Sequence, residues 1–302
     1  MFIVRNRKFF YSFSALLVIA SVTALSIWGL SPGIDFKGGS IIEVEYTERP
    51  TVEAVNTALS GLPLGSYSVR ETGERGYIIR TDELSPEIHS VVMTALSDSG
   101  KVSLTEKRFN SIGPVLGKEA IEKSWMSISL VLLAIILFIT FAFRKVSRPV
   151  SSWKYGLIAI VALGHDVLIP TGVFAVLGHY AGFEIDTLFV TALLVVLGFS
   201  IHDTIVVFDR VRENLRRNTE YHEKKQFDTI VGESINQTFV RSINTSLTTL
   251  IAIAVLYTFG PDATKHFSLT LLIGIIAGTY SSIFIGSPLL VTWQKWQDKR
   301  NK

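Results

Sequence analysis

The stretch GFSIHDTIVVFDR, residues 198–210, decides how the chain is read. Its surroundings are apolar for long enough to form a membrane span. Yet it sets His202 beside Asp203 within that span, and Asp209 beside Arg210 just after it. A charged side chain at bilayer depth costs about 2.5–3.5 kcal/mol even on insertion-based scales, so it needs either a partner or a function.

Composition places this stretch in a membrane protein. The 302 residues are 48% hydrophobic with a mean hydropathy of +0.39, and only 18% are charged, against about 25% in ordinary soluble domains. Six apolar segments, near 9–30, 125–143, 155–177, 185–208, 236–259 and 267–293, meet the roughly 20 residues that a helix needs to cross a bilayer. The expected fold class is therefore a polytopic bundle of six transmembrane helices. The basic start MFIVRNRK resembles a signal-peptide n-region, but the apolar run after it exceeds the usual ~7–15 residues and reads as a retained anchor. The absence of cysteine excludes disulfides and thiolate metal sites, and it suits an oxidising compartment.

Orientation follows from where the basic residues fall. Arg5, Arg7 and Lys8 precede the first segment; Arg144, Lys145, Arg148 and Lys154 lie between the second and third. Arg210, Arg212, Arg216, Arg217, Lys224 and Lys225 lie between the fourth and fifth, and Lys295, Lys299, Arg300 and Lys302 close the chain. The links GHYAGFE and GPDATKH hold one lysine between them. The positive-inside rule then places both termini in the cytoplasm, with 1–30 as N-terminus and first helix, 125–293 as the rest of the bundle and 294–302 as a tail.

Residues 31–124 fall on the opposite, extracytoplasmic side and read as a folded domain. IIEVEY alternates Ile42, Val44 and Tyr46 with Glu43 and Glu45, the period of a half-buried strand. VEAVNTAL after Pro50-Thr51 places Val52, Val55 and Leu59 on one helical face; a second helix after Ser85-Pro86 groups Ile88, Val91, Val92, Ala95 and Leu96. YSVRE and YIIRT flank the turn TGERG, and KVSLTEKRF supplies a last strand. The order β-α-β-β-α-β is the ferredoxin-like pattern, which names no function by itself. The domain offers no nucleophile–base pair, phosphate loop or metal spacing, so a binding or lever module is expected and an enzyme is not.

At a rise of about 1.5 Å per residue, Asp203 lies roughly 9 Å inside the cytoplasmic boundary, and Arg241 about 7–8 Å inside on the next segment. The two are expected to pair. Asp166, next to His165, comes out about 16 Å deep. Arg241, Asn244, Thr245 and Thr248 follow i, i+3, i+4, i+7 spacing and share one helical face; that face should line the bundle interior or a wet cavity. Gly274, Gly278, Ser282 and Gly286 form a small-residue stripe for close helix packing. Three readings of the polar residues compete. One is a buried pair that fixes helix register. A second is a proton relay of Asp203, Arg241, Asp166, His202 and His165. The third is a metal site from the two His-Asp dipeptides, disfavoured because adjacent helical residues point about 100° apart.

Several motifs together resemble the SecF family, the smaller subunit of the SecDF protein-export complex in the resistance-nodulation-division superfamily. GIDFKGG, with Asp35, Gly38 and Gly39, is similar to the signature after the first span, and IGPVLGKE to the lead into the second. GFSIHDTIVVFDRVREN and SINQTFVRSINTSLTT resemble the fourth-span and fifth-span signatures. The resemblance implies a bacterial cytoplasmic (inner) membrane subunit that pairs with SecD and works with the SecYEG translocon, with YajC and YidC as further candidates. It would use proton movement to assist late export of unfolded proteins. Asp203 would then be the main proton-responsive carboxylate, Arg241 its partner and Asp166 a weaker candidate. No cofactor beyond a coupling proton is implied; lipid is the surrounding partner and nucleic acid is not one. The chain departs from the family pattern at Phe199, where tyrosine is usual, and at His202, where asparagine is usual. A secondary-transporter half for a small molecule or lipid, or a translocon scaffold without energy coupling, are the alternative functions.

Overall fold

A computed structural model describes residues 2–98, 100–142, 151–223 and 225–300, apart from the side chain of residue 152. Phe143, Arg144, Lys145, Arg148, Lys224 and Lys302, all used in the sequence reading, lie outside the described residues. Helices α1 (Phe2–Arg5), α2 (Arg7–Trp28) and the short α3 (Ile34–Lys37) lead into β1 (Gly39–Tyr46), α4 (Val52–Leu59), β2 (Tyr67–Thr72), β3 (Gly76–Thr81), α5 (Pro86–Leu96) and β4 (Leu104–Ile112). Long helices follow: α6 (Pro114–Ala142), α7 (Ser152–Ala181), α8 (Thr187–Glu220) and α9 (Phe227–Phe259). After a 3-10 turn at Asp262–Thr264, α10 (Lys265–Ser281) passes through a π-helical turn at Ser282–Gly286 into α11 (Ser287–Arg300). Among the described residues, six helical stretches are long and apolar enough to cross a membrane: α2, α6, α7, α8, α9 and Asp262–Arg300. The chain divides into two compact units, Met1–Ser31 with Met126–Lys302, and Pro32–Trp125.

In the smaller unit the four strands form one antiparallel sheet in the order β2-β3-β1-β4. Alternation does what the sequence spacing requires. Ile42 and Val44 of β1 sit opposite Ile79 and Tyr77 of β3, and all four are buried against Val55 and Leu59 of α4 and Val92 and Leu96 of α5. Each such side chain contributes about 1.5–3 kcal/mol by leaving water. Thr51 and Ser85 cap the two helices, accepting from the backbone N–H groups of Ala54 and Ile88. Val91, placed by its spacing on the apolar face of α5, is instead exposed, because the buried stripe narrows to Val92 and Leu96. Gly39 adopts φ +114°, and a Cβ there would stand 2.7 Å from the Thr81 carbonyl oxygen. Only glycine meets both demands.

In the larger unit α7, α8 and the α10–α11 stretch are about half buried or more, whereas α2, α6 and α9 are mostly exposed. Helix α10 packs on α8, α7 and α9. The small-residue stripe explains the closeness to α8. Gly274 abuts Val196, a Cβ at Gly278 would stand 2.9 Å from Cβ of Ser200, and the Ser282 hydroxyl lies 3.3 Å from that of Thr204. Both helices thus advance by four residues per contact, the spacing at which missing side chains let backbones approach. At the far end of α8, Arg210 and Asn214 both donate to the Gln237 side chain of α9, at 2.6 and 2.9 Å. These bonds set the register of α9 against α8.

Candidate functional site

The polar residues of the bundle gather into two adjoining centres. In the first, Asp166 of α7 is fully buried, with 0% exposure. One carboxylate oxygen lies 2.8 Å from Nδ1 of His165; the other accepts from the hydroxyls of Ser200 on α8 and of Ser281 on α10, the latter at 2.7 Å. Three helices therefore converge on one carboxylate. Pro170 stands four residues further along α7. Having no N–H, it leaves the main-chain carbonyl of Asp166 without its helical donor.

The second centre is built on α8, where Ser200, Asp203 and Thr204 share a face by their i, i+3, i+4 spacing. Asp203 is 2% exposed. Its carboxylate accepts one hydrogen bond, from Ser246 of α9 at 3.3 Å, and Ser246 in turn accepts from Thr279 of α10 at 2.7 Å. His202 Nδ1 is 4.0 Å away, and the imidazole is 64% exposed. Arg241 is close enough for its charge to act on Asp203. Among the described residues, though, the two form no ion pair, so the pairing expected from equal depth is not what the structure contains. Asp203 meets Ser246, five residues along α9 from Arg241, so the two helices are offset along their axes as well as rotated about them relative to the sequence expectation.

The same rotation explains the stripe of Arg241, Asn244, Thr245 and Thr248. Arg241, Asn244 and Thr248 are exposed and Thr245 half-buried, while Ser234, Thr238, Ser242 and Ser246 form the buried face of α9. Within this chain taken alone, the stripe does not face the packed core of the bundle. Ile230, Val231 and Ile235 are buried as well, but from Thr238 to Ser246 the buried positions carry only short hydroxyl side chains, which pass between packed helices where arginine does not fit. Ser200, Ser246, Thr279 and Ser281 went unrecognised as functional candidates, because serine and threonine in a span also serve as packing residues. Ser200 faces Gly278 of the small-residue stripe, and Ser246 continues the four-residue spacing of Ser234, Thr238 and Ser242; Thr279 and Ser281 carry no such signal. Among the described residues no cluster of three or more histidine or acidic side chains is placed to hold a metal ion. Asp35, Gly38 and Gly39 lie in the other unit, around α3 and the start of β1.

These features define a class: a polytopic membrane protein whose bundle buries two carboxylates and whose chain includes a small antiparallel α+β unit. The model of the SecD/SecF C-terminal family of protein export membrane proteins matches residues 91–296, and that of the SecD/SecF GG motif matches residues 24–48. The chain belongs to the SecF family of protein translocase subunits. It is 45% identical over 306 residues to the protein translocase subunit SecF of Thermobaculum terrenum, covering 97% of this chain and 93% of that one. The SecF of Anaerolinea thermophila is 37% identical, with 98% and 96% covered. The crystal structure of SecDF, a translocon-associated membrane protein from Thermus thermophilus, aligns with a TM-score of 0.80 at 29% identity. That alignment covers 97% of this chain but 38% of the SecDF chain.

Proposed function

We propose that this chain couples proton movement to the late export of proteins across the bacterial cytoplasmic membrane, as a partner of SecD at the SecYEG translocon. The observation that carries the reading is Asp203, a buried carboxylate within a span that accepts one hydroxyl hydrogen bond and, among the described residues, meets no basic group closer than the His202 ring at 4.0 Å. A carboxylate held this lightly responds to the ionisable groups beside it, the His202 ring and the Arg241 guanidinium. Lipid offers no partners to His202, Arg241, Asn244 and Thr248. Their exposure supports a partner subunit with polar groups on the facing helix, the role that SecD fills in this reading. Asp166, held with His165 by donors from three helices, is assigned in this reading to fixing the bundle rather than to carrying the proton.

The basic residues before α2 and between α8 and α9 support cytoplasmic termini and an extracytoplasmic unit 31–124. Its strand order and its two helices support a ferredoxin-like reading, suited to gripping or levering an unfolded polypeptide rather than to catalysis. YajC and YidC are further candidate partners. The test is Asp203→Asn in membranes containing SecD and the translocon, with a secreted protein followed with and without a proton gradient. Normal insertion together with loss of the gradient-dependent part of export is expected. Undiminished gradient-dependent export overturns the proposal.

A further inference from the structure

Asp203, Ser246 and Thr279 lie in a line that crosses from α8 through α9 to α10, and the line ends on a main-chain oxygen. Ser246 is 3.3 Å from the carboxylate, Thr279 is 2.7 Å from Ser246, and Thr279 also lies 2.8 Å from the carbonyl oxygen of Ile275. All three side chains are buried. A hydroxyl has one proton to donate and room to accept, so only two arrangements use every group. With Asp203 ionised, Thr279 donates to Ser246 and Ser246 donates to the carboxylate. With Asp203 protonated, its O–H donates to Ser246, Ser246 donates to Thr279 and Thr279 donates to the Ile275 carbonyl.

We infer that Ser246 and Thr279 are positioning residues that form a reversible hydroxyl chain. It turns end for end when Asp203 gains or loses its proton, so that neither state leaves a buried polar group unpaired. No covalent bond other than the carboxyl O–H forms or breaks; the two hydroxyl protons rotate and stay on their own oxygens. The inference rests on Asp203 being the proton-responsive carboxylate. A buried donor or acceptor left unmatched would cost either state heavily, and this chain removes that cost without moving a helix. Its far end couples the protonation state to α10, three residues before the π-helical turn begins at Ser282.

The charged and titratable groups facing Asp203 are His202 on its own helix and Arg241 on α9; α10 contributes hydroxyls. Ser246 and Thr279 themselves border a groove of about 250 Å³ between α9 and α10, whose other lining is mostly apolar, with Ile243, Leu247, Ile276 and Ile283.

The experiment is infrared difference spectroscopy of the protein in complex with SecD, titrated through acid pH, with Asp203→Asn identifying the protonated-carboxyl band. In Ser246→Ala the band moves to higher frequency, because the carboxyl O–H has lost its acceptor. Thr279→Val, close to isosteric, shifts it in the same direction by less. Ser246→Thr and Thr279→Ser leave it in place. Gradient-dependent export falls about tenfold in Ser246→Ala, the effect of one lost hydrogen bond. A band unchanged in both Ser246→Ala and Thr279→Val overturns the hydroxyl chain while the relay role of Asp203 stands. If Asp203→Asn removes no band and export keeps its gradient dependence, the relay itself is wrong.

Discussion

Asp166 and Asp203 are both aspartates next to a histidine, both buried and both within spans, yet they are held in opposite ways. Asp166 is gripped by three side chains from α7, α8 and α10 and is sealed from solvent. Asp203 has one hydroxyl at 3.3 Å, a histidine 4.0 Å away that is itself mostly exposed, and an arginine that does not pair with it. A carboxylate fully supplied with donors fixes the helices around it. One that is partly supplied is left able to change state. The sequence presented both as His-Asp dipeptides, with Asp203 preferred only through the family resemblance; their surroundings show how differently the two are held.

The comparison breaks first on stability. Asp166→Ala strands the Ser200 hydroxyl and the His165 ring, and should cost about 3 kcal/mol in chemical denaturation of the detergent-solubilised protein. Asp203→Ala frees only Ser246 and should cost about 1 kcal/mol. Equal losses would show that both carboxylates are structural. Next in size is Gly278→Ala: its new Cβ would stand 2.9 Å from Cβ of Ser200 and 3.5 Å from the Asp166 carboxylate. Overpacking at this spot should cost about 2 kcal/mol, and a hydrogen-exchange map should show α10 loosening against α8. A silent Gly278→Ala would mean that α8 and α10 are not held at the spacing described.

The smaller unit sharpens the contrast, because the packing around Gly39 and the Tyr46 hydroxyl shows what each contributes to the fold. Gly39→Ala forces a side chain into φ +114° and against the Thr81 carbonyl. It should cost about 2 kcal/mol, seen as earlier loss of amide protection in β1 than in α8. The smallest effect is expected at Tyr46, whose hydroxyl donates to the Leu96 carbonyl and whose phenol is pushed up to about 12 by burial. A phenol titrates near 10 when unfolded, so the stabilisation is fully present below pH 10 and is lost as pH rises toward 12. Tyr46→Phe should cost about 1 kcal/mol at neutral pH and remove that alkaline dependence. An unchanged alkaline profile would locate the titrating group elsewhere.

Length and hydropathy made the spans legible, and period-two alternation made β1 and β3 legible, because each depends on local pattern. Caps at Thr51 and Ser85 were equally readable. Side-chain azimuth around α9 was not. The spacing of Arg241, Asn244, Thr245 and Thr248 correctly put them on one face but could not say which neighbour that face meets. Nor could it say that Ser246, one position from Thr245, would be the residue touching Asp203. Those facts are set by how α9 rolls against α8 and α10, through contacts such as Arg210 to Gln237 that join residues far apart in the chain. The π-helical turn was likewise hidden, since its sequence reads as continuous helix.

Proton flux into proteoliposomes holding this chain with SecD, compared among wild type, Asp203→Asn and Asp166→Asn, tests the division between the two carboxylates most directly. The expected result is gradient-driven flux in wild type, its loss in Asp203→Asn, and its retention in the folded fraction of Asp166→Asn. Flux surviving in Asp203→Asn and vanishing in Asp166→Asn would contradict it.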